Sequence, residues 1–299
     1  MITPDWIALD WGTSNLRGWA MRGDAVLAEA TSDQGMGCLA RDGFEPALCR
    51  LIEGWQVSPG TPIIACGMVG SRHGWAEAPY RAVPCAPVDG TWTRVQGRRH
   101  TAYILPGLNQ QTPADVMRGE ETQIAGFLAQ HPSWDGVICL PGTHTKWAQI
   151  SAGEVVSFQT YMTGEMFALL STRSVLSHST KGNDWDTAAF DMAVTDALAR
   201  PEKTAAHLFS IRATDLLQGS APGTGRARLS GLLIGAELAA ARPYWLGTRI
   251  ALIGGETLSA AYARALSAQG ASASTHSATE MTLAGLSSAY RALIEQETA

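Results

Sequence analysis

The sequence predicts an α/β fold with mixed sheets, built as two related halves. The first observation behind this is an internal echo. Residues 7–17 read IALDWGTSNLR before a turn at Arg22-Gly23-Asp24, and residues 137–147 read VICLPGTHTKW before a turn at Ala152-Gly153-Glu154. Gly12-Thr13 falls on Gly142-Thr143, and Gly23 on Gly153, at one common offset. The second is that strand-like and helix-like runs are mixed along the chain, as layered α/β architectures require. The third is bulk composition: 299 residues, 45% hydrophobic and 16% charged, suit a compact chain of two ordinary domains.

Residues 6–10 form a short apolar strand ending on an acid, with residues 16–21 and 25–30 as its antiparallel neighbours around Gly23. Residues 44–55 carry Phe44, Leu48, Leu51, Ile52 and Trp55 at helical spacing and stop before Ser58-Pro59-Gly60. Residues 62–67 read as a buried strand, 73–99 as irregular structure around a site, and 102–105 as a strand stopped by Pro106-Gly107. The halves are expected to meet at 107–114, giving lobes 1–110 and 111–299. A helix at 124–130 leads into the second hairpin. Thr163 is expected to cap a helix over 163–176, followed by helices at 190–198, 204–209 and 231–241. Gly231 and Gly235, four apart, allow close packing of the last of these. A strand at 249–253 breaks at Gly254-Gly255 before a helix at 257–268, and an amphipathic helix at 282–297 closes the chain, placed to pack back on the first lobe.

A formal charge of −5 gives no broad basic field for nucleic acid or an anionic membrane. The first residues carry Asp5 and Asp10 rather than a basic stretch with an apolar run, so no signal peptide is expected. No apolar run reaches the roughly 18–20 residues of a membrane span. Cys38, Cys49, Cys66, Cys85 and Cys139 form no C-x-x-C pair and read as reduced thiols of a cytoplasmic protein.

Two glycine-threonine turns offered to one ligand point to a nucleotide triphosphate clamp, hence to a kinase or ATPase. Asp10 stands where an apolar strand meets the first turn, and a fixed carboxylate there suits Mg²⁺ beside substrate phosphates. Gly12, Thr13, Ser14 and Asn15 supply backbone N–H groups and hydroxyls for phosphate oxygens. An ordinary Asx-turn hairpin explains either copy alone, less well the repeat. Lys146 is one of three lysines against 19 arginines, and serves either as a phosphate point charge or as a solvent-facing edge residue. His144 reads as a hydrogen-bonding turn residue. Gly254 and Gly255 form a third turn able to admit adenosine. Asp115, Glu120 and Glu121 are candidates for the base that takes an alcohol proton during phosphoryl transfer, although glutamates also suit a helix's first turn structurally. Arg72 and Arg118 sit in loops and suit two-point binding of a carboxylate. Neither a G-x-x-x-x-G-K-[ST] loop nor a strand-borne G-x-G-x-x-G is present.

These motifs resemble the phosphate-1, phosphate-2 and adenosine elements of the sugar kinase, hexokinase, Hsp70 and actin superfamily. Within it the chain is similar to the 2-dehydro-3-deoxygalactonokinases. The resemblance rests on residues 8–17 (ALDWGTSNLR), 67–75 (GMVGSRHGW), 77–80 (EAPY), 115–123 (DVMRGEETQ) and 140–147 (LPGTHTKW). It continues through 158–170 (FQTYMTGEMFALL), 208–212 (LFSIR) and 229–238 (LSGLLIGAEL). It implies two ribonuclease-H-like, actin-like ATPase lobes with an interlobe active-site cleft that closes on its ligands. It further implies ATP-dependent phosphorylation of the C6 hydroxyl of 2-dehydro-3-deoxy-D-galactonate in galactonate and galactose breakdown. Mg²⁺ would be served by Asp10. The phosphates would be held by Gly12 to Asn15 and by Gly142, Thr143, His144 and Thr145, with Lys146 beside them and Gly254 and Gly255 at the adenosine. Related sugar kinases carry an Asp where this chain has Glu121, five residues before Gly126, which makes Glu121 the favoured base over Glu120 and Asp115. Arg17, Met68, Ser71, Arg72, Arg118, Thr163 and Glu165 are the expected sugar-acid contacts.

Rival readings are a kinase for the gluconate epimer or another sugar acid, and an actin-like or Hsp70-like ATPase switch. An iron–sulfur ATPase activator would need clustered cysteines, which the chain lacks. The oligomeric state is open, a homodimer being one form.

Overall fold

The computed structural model describes residues 2–298. Its first elements are β1 (Trp6–Trp11), β2 (Leu16–Arg22), β3 (Ala25–Ser32), α1 (Phe44–Leu51), β4 (Ile63–Cys66), β5 (Arg81–Ala82), β6 (Thr93–Gln96), β7 (Thr101–Ile104), β8 (Leu108–Gln110), β9 (Asp115–Met117) and α2 (Glu120–Gln130). There follow β10 (Gly136–Leu140), β11 (Thr145–Ser151), β12 (Glu154–Tyr161), α3 (Thr163–Arg173), α4 (Thr187–Ala199), α5 (Thr204–Gln218) and α6 (Thr224–Ala240). The chain ends with α7 (Arg242–Trp245), β13 (Ile250–Gly254), α8 (Glu256–Ser267), β14 (Ala273–Ser277) and α9 (Ala278–Thr298).

The echo in the sequence is an echo of topology. One sheet has the order β3-β2-β1-β4-β7, with β6 added at its edge; the other has the order β12-β11-β10-β13-β14. In each, the strand entering the glycine-threonine turn runs parallel to the next strand of the order, β1 to β4 and β10 to β13. This is the ribonuclease-H-like arrangement, twice over.

The chain divides into two compact units, one made of residues up to 135, 150–158 and from 278 onward, the other of 136–149 and 159–277. Residues 111–135, read from the sequence as part of the second lobe, therefore belong with the first unit. The reason lies in how α2 packs on α9. A Cβ on Gly126 would overlap the Met281 carbonyl, and a Cβ on Gly285 would overlap the Thr122 carbonyl, so the two backbones meet where glycines allow it.

In the first unit β1 is covered on both faces, which is why its run WIALDW is almost wholly apolar. Ile7, Leu9 and Trp11 face a core shared with Phe44 and Leu48 of α1, whereas Trp6 and Ala8 face Leu286, Ala289 and Leu293 of α9. In the second unit Val137 and Cys139 of β10 pack with Leu252, Phe190, Ile234 and Tyr262. Gly231 and Gly235 lie against the Phe190 and Val194 carbonyls, so α6 and α4 approach closely.

Several elements differ from expectation. Residues 73–99 contain β5 and β6, and β14 was not anticipated. The helix expected at 124–130 begins at Glu120, and the one expected at 204–209 runs on to Gln218. Thr163 is the first helical residue of α3 rather than its cap. Among the described residues no helix is long and apolar enough to cross a membrane, and all five cysteines are free thiols.

Candidate active site

In the first unit the ends of β1 and β4 and the start of α2 converge on Gly67. Asp10 lies beside Cys66 in the parallel register of β1 and β4. Gly67 follows with φ +90°, a backbone conformation that a side chain would strain, and a Cβ there would stand 2.8 Å from the Trp11 carbonyl and 3.4 Å from Asp10 Oδ1. Gly119, with φ +107°, brings the start of α2 against the same point: its Cβ would lie 3.4 Å from Gly67 Cα. These two glycines let an acid from a strand end and an acid from a helix start share one neighbourhood.

Glu121 is that second acid. It is fully buried. Its Oε2 accepts the Gly119 N–H at 2.7 Å and its Oε1 accepts the Thr122 hydroxyl at 3.2 Å. Burial, reinforced by the neighbouring Glu120 charge, pushes its carboxyl up to about 7, against the lowering effects of the Gly119 N–H and Arg118. Burial, reinforced by the Asp10 and Glu121 charges, drives the Cys66 thiol far up, leaving it an inert neutral group. Glu120 is half-buried, with Oε2 accepting the Arg118 N–H at 3.1 Å. Asp115 lies on β9, where its Oδ1 accepts the Val116 N–H at 2.8 Å.

Arg17, an expected substrate contact, is turned toward Asp10. Its guanidinium donates to Asp10 Oδ2 at 2.5 Å and to Thr279 Oγ1 at 2.9 Å, because β1 and β2 pair Asp10 directly with Arg17. That leaves Asp10 Oδ1, on the Gly67 side, for a metal. Among the described residues no three His, Cys, Asp or Glu side chains form a ready-made metal cage, so an ion at Asp10 would take most of its ligands from phosphate and water, as Mg²⁺ does.

The first phosphate turn is held from behind. Met36 and Gly37 donate their N–H groups to the Gly12 and Thr13 carbonyls, each at 2.9 Å, while Thr13, Ser14 and Asn15 are exposed. In the loop after Gly67, Met68 is half-buried and Ser71 Oγ is buried without a partner. Arg72 stands in solvent, with Glu77 at 4.0 Å. Arg118 is buried: one guanidinium nitrogen, Nη2, donates to the Ala78 carbonyl at 2.7 Å, the group stacks 4.3 Å over Tyr80, and Nε and Nη1 have no partner.

In the second unit the Gly142-Thr143 turn forms part of the wall of a cavity of about 730 Å³. The start of α3 sits directly against this turn. A Cβ on Gly164 would overlap the Gly142 carbonyl, and the Glu165 N–H donates to the Thr143 carbonyl at 2.9 Å. His144 Nε2 lies 2.6 Å from Glu165 Oε2, which ties turn and helix together on the surface. The remaining walls combine apolar groups, among them Leu233 and Ile234 of α6 and Leu258 and Ala261 of α8, with polar ones that include Asn183, Arg226 and Arg264. Gly254 and Gly255 are not among the lining residues; the α8 turns that follow them are.

Thr145 and Thr163, expected at the phosphates and the sugar acid, turn their hydroxyls toward buried partners, and Thr163 also borders the cavity. Both are buried. Thr145 Oγ1 lies 3.1 Å from Tyr262 Oη, and the Thr163 hydroxyl donates to Glu237 Oε2. Lys146 is likewise buried, which removes the solvent-facing alternative. Glu237, on α6, went unnoticed in the sequence. The one available signal was a carboxylate inside the otherwise apolar run LSGLLIGAEL.

A family model described as 2-keto-3-deoxy-galactonokinase matches residues 10–289. A Rhizobium meliloti protein named "Probable 2-dehydro-3-deoxygalactonokinase" is 40% identical over 296 residues, covering 96% of both chains. The 2-dehydro-3-deoxygalactonokinase of Escherichia coli is 36% identical over 275 residues, covering 90% of this chain and 91% of its own. A crystal structure of a Sinorhizobium meliloti protein bearing the same enzyme name superposes with a TM-score of 0.90 at 39% identity, over 96% of each chain. The activator of 2-hydroxyisocaproyl-CoA dehydratase from Clostridium difficile, solved with ADPNP, gives a TM-score of 0.56 at 12% identity over 98% of this chain and 97% of its own. That likeness concerns the fold alone, which is of the actin-like ATPase kind.

Proposed function

The chain belongs to the 2-keto-3-deoxy-galactonokinase family, and from that premise we propose that it moves the γ-phosphoryl group of ATP to the C6 hydroxyl of 2-dehydro-3-deoxy-D-galactonate, with Glu121 taking the hydroxyl proton. It is a sugar-acid kinase by family. The observation that carries the roles is the convergence of Asp10 and Glu121 around Gly67, one half-buried and ion-paired, the other buried and raised to about 7.

A base for an alcohol works best when it titrates near the working pH. Below about 7 Glu121 is neutral and cannot accept the proton; above it the carboxylate is available. Asp10 is the residue that would hold Mg²⁺, which would supply positive charge to offset the charge developing on the phosphates. The exposed hydroxyls of Thr13 and Ser14 and the Gly142-Thr143 turn suit phosphate oxygens. Leu233, Ile234, Leu258 and Ala261 provide the apolar walls that a nucleoside needs. With Arg17 paired to Asp10 and Arg72 in solvent, Arg118 is the one of these arginines left for the substrate carboxylate, its Nε and Nη1 each being an unpartnered single donor.

ADP release with Mg-ATP tests this, using 2-dehydro-3-deoxygalactonate, its gluconate epimer, galactonate, glucose and no acceptor. A signal confined to the galactonate-derived keto acid is expected. Equal rates on both epimers would broaden the substrate class, and turnover that ignores every acceptor would overturn the kinase reading. Ala261→Trp, which fills the cavity, is expected to raise KM for ATP by about tenfold or more while KM for the sugar acid stays within about twofold.

A second reading of the base is favoured by one observation: Glu120 is half-buried where Glu121 is enclosed. Full loss of turnover in Glu120→Gln with an active Glu121→Gln would transfer the role.

A further inference from the structure

We infer that Glu237 is a positioning residue for nucleotide binding: one buried carboxylate holds both the strand that leaves the Gly142-Thr143 turn and the helix start that rests on it. The inference depends on reading the second unit's cavity as the nucleotide site.

Glu237 is 4% exposed on α6, and three donors from three other elements end on it. Trp147 Nε1 of β11 donates to Oε1 at 2.8 Å. Tyr262 Oη of α8 donates to Oε2 at 2.7 Å, and the Thr163 hydroxyl of α3 donates to the same oxygen. Because the single Tyr262 proton is used on Glu237, the Thr145 hydroxyl, 3.1 Å from Tyr262 Oη, must be the donor in that pair. Every hydroxyl in the network thus has a defined direction, and all point toward the carboxylate.

The placement of the donors gives the network its purpose. Thr145 and Trp147 are two apart on β11, so both face the same side of the sheet, and their strand starts directly after the turn. Thr163 is the first residue of α3. The next two residues contact the turn itself, Gly164 against the Gly142 carbonyl and Glu165 through its N–H to the Thr143 carbonyl at 2.9 Å. Thr163 and Tyr262 also line the cavity. An apolar residue at 237 would leave three donors from three elements, Trp147, Thr163 and Tyr262, without the acceptor that fixes their relative positions.

Glu237→Gln keeps the volume and reverses the directions. Trp147 can only donate, so the amide oxygen must stay on it, and the amide NH₂ then faces the Thr163 and Tyr262 hydroxyls. Both hydroxyls must turn, and Tyr262 must donate to Thr145 instead of accepting from it.

The test is titration calorimetry of the full-length protein with Mg-AMPPNP, alongside initial-rate kinetics with the sugar acid. Wild type is expected to bind. Glu237→Gln is expected to bind about tenfold more weakly, with KM for ATP rising in parallel and KM for the sugar acid within about twofold. Equal affinity in wild type and Glu237→Gln, or equal rises in both KM values, would overturn the inference. Absence of binding in wild type would instead overturn the nucleotide reading of the cavity, and the inference with it. If Glu237→Gln does not fold, Tyr262→Phe decides: weakened Mg-AMPPNP binding supports the role, and wild-type affinity overturns it.

Discussion

Glu121→Gln is expected to lower kcat by about 10²- to 10⁴-fold, the range a positioned general base contributes, while the affinity for Mg-ATP is retained. The substitution is close to isosteric: the amide oxygen still accepts the Gly119 N–H, and the Thr122 hydroxyl can reverse. A fall in kcat without loss of fold therefore reports the proton acceptor. Stability moves the opposite way. Burial raises the Glu121 carboxyl from 4.5 to about 7, so the folded state holds its proton more tightly than the unfolded chain does. The associated stabilisation is complete below pH 4.5 and disappears as pH rises through about 7, a total on the order of 3 kcal/mol. The glutamine variant lacks this loss. Its stability relative to wild type is expected to rise between pH 5 and pH 8, measured by denaturant unfolding at each pH.

Gly285→Ala is expected to destabilise the protein by about 3 kcal/mol, at the upper end of what overpacking does. A Cβ at 285 would overlap the Thr122 carbonyl, which is helix backbone and cannot turn aside. Relief requires α2 to move away from α9. Thr122 is the next residue after Glu121 and donates its hydroxyl to it, so the same shift disturbs the base. The expected signature is a lower unfolding midpoint together with a reduced kcat. Gly60→Ala is the control: nothing lies within 4 Å of a Cβ there, and its effect is expected within about 0.5 kcal/mol.

The parts of the fold readable in the sequence were those with local signals. The hairpins of β1–β3 and β10–β12 combine apolar strands with a glycine turn at a fixed offset. β14 was not readable, since ASTHS is a polar, largely exposed strand with no alternation to mark it. The two-residue β5 and the edge strand β6 are too short or too exposed to stand out among the Pro, Gly and Trp around them. The start of α2 was misjudged because it depends on the positive φ of Gly119, a backbone property that the residue type only permits.

The site divides in the same way. Asp10, Glu121 and the Gly142-Thr143 turn can be singled out as candidates because strand ends and helix starts are legible locally. The direction in which Thr145 and Thr163 face is decided by Glu237, 74 residues beyond Thr163 in the chain, and no local pattern contains that information. The pairing of Arg17 with Asp10 comes from the register of β1 with β2, and the second unit's cavity is lined by α8 from Thr257 onward rather than by Gly254-Gly255.

The central claim is that Glu121, raised by burial, takes the proton from the sugar-acid hydroxyl. The pH dependence of kcat/KM for 2-dehydro-3-deoxygalactonate at saturating Mg-ATP tests it most directly. The rate is expected to climb tenfold per pH unit on the acid side and level off with a midpoint near 7, where Glu121 loses its proton. A profile that is flat from pH 5.5 to 8.5, or a midpoint near 7 that survives in Glu121→Gln, would contradict it.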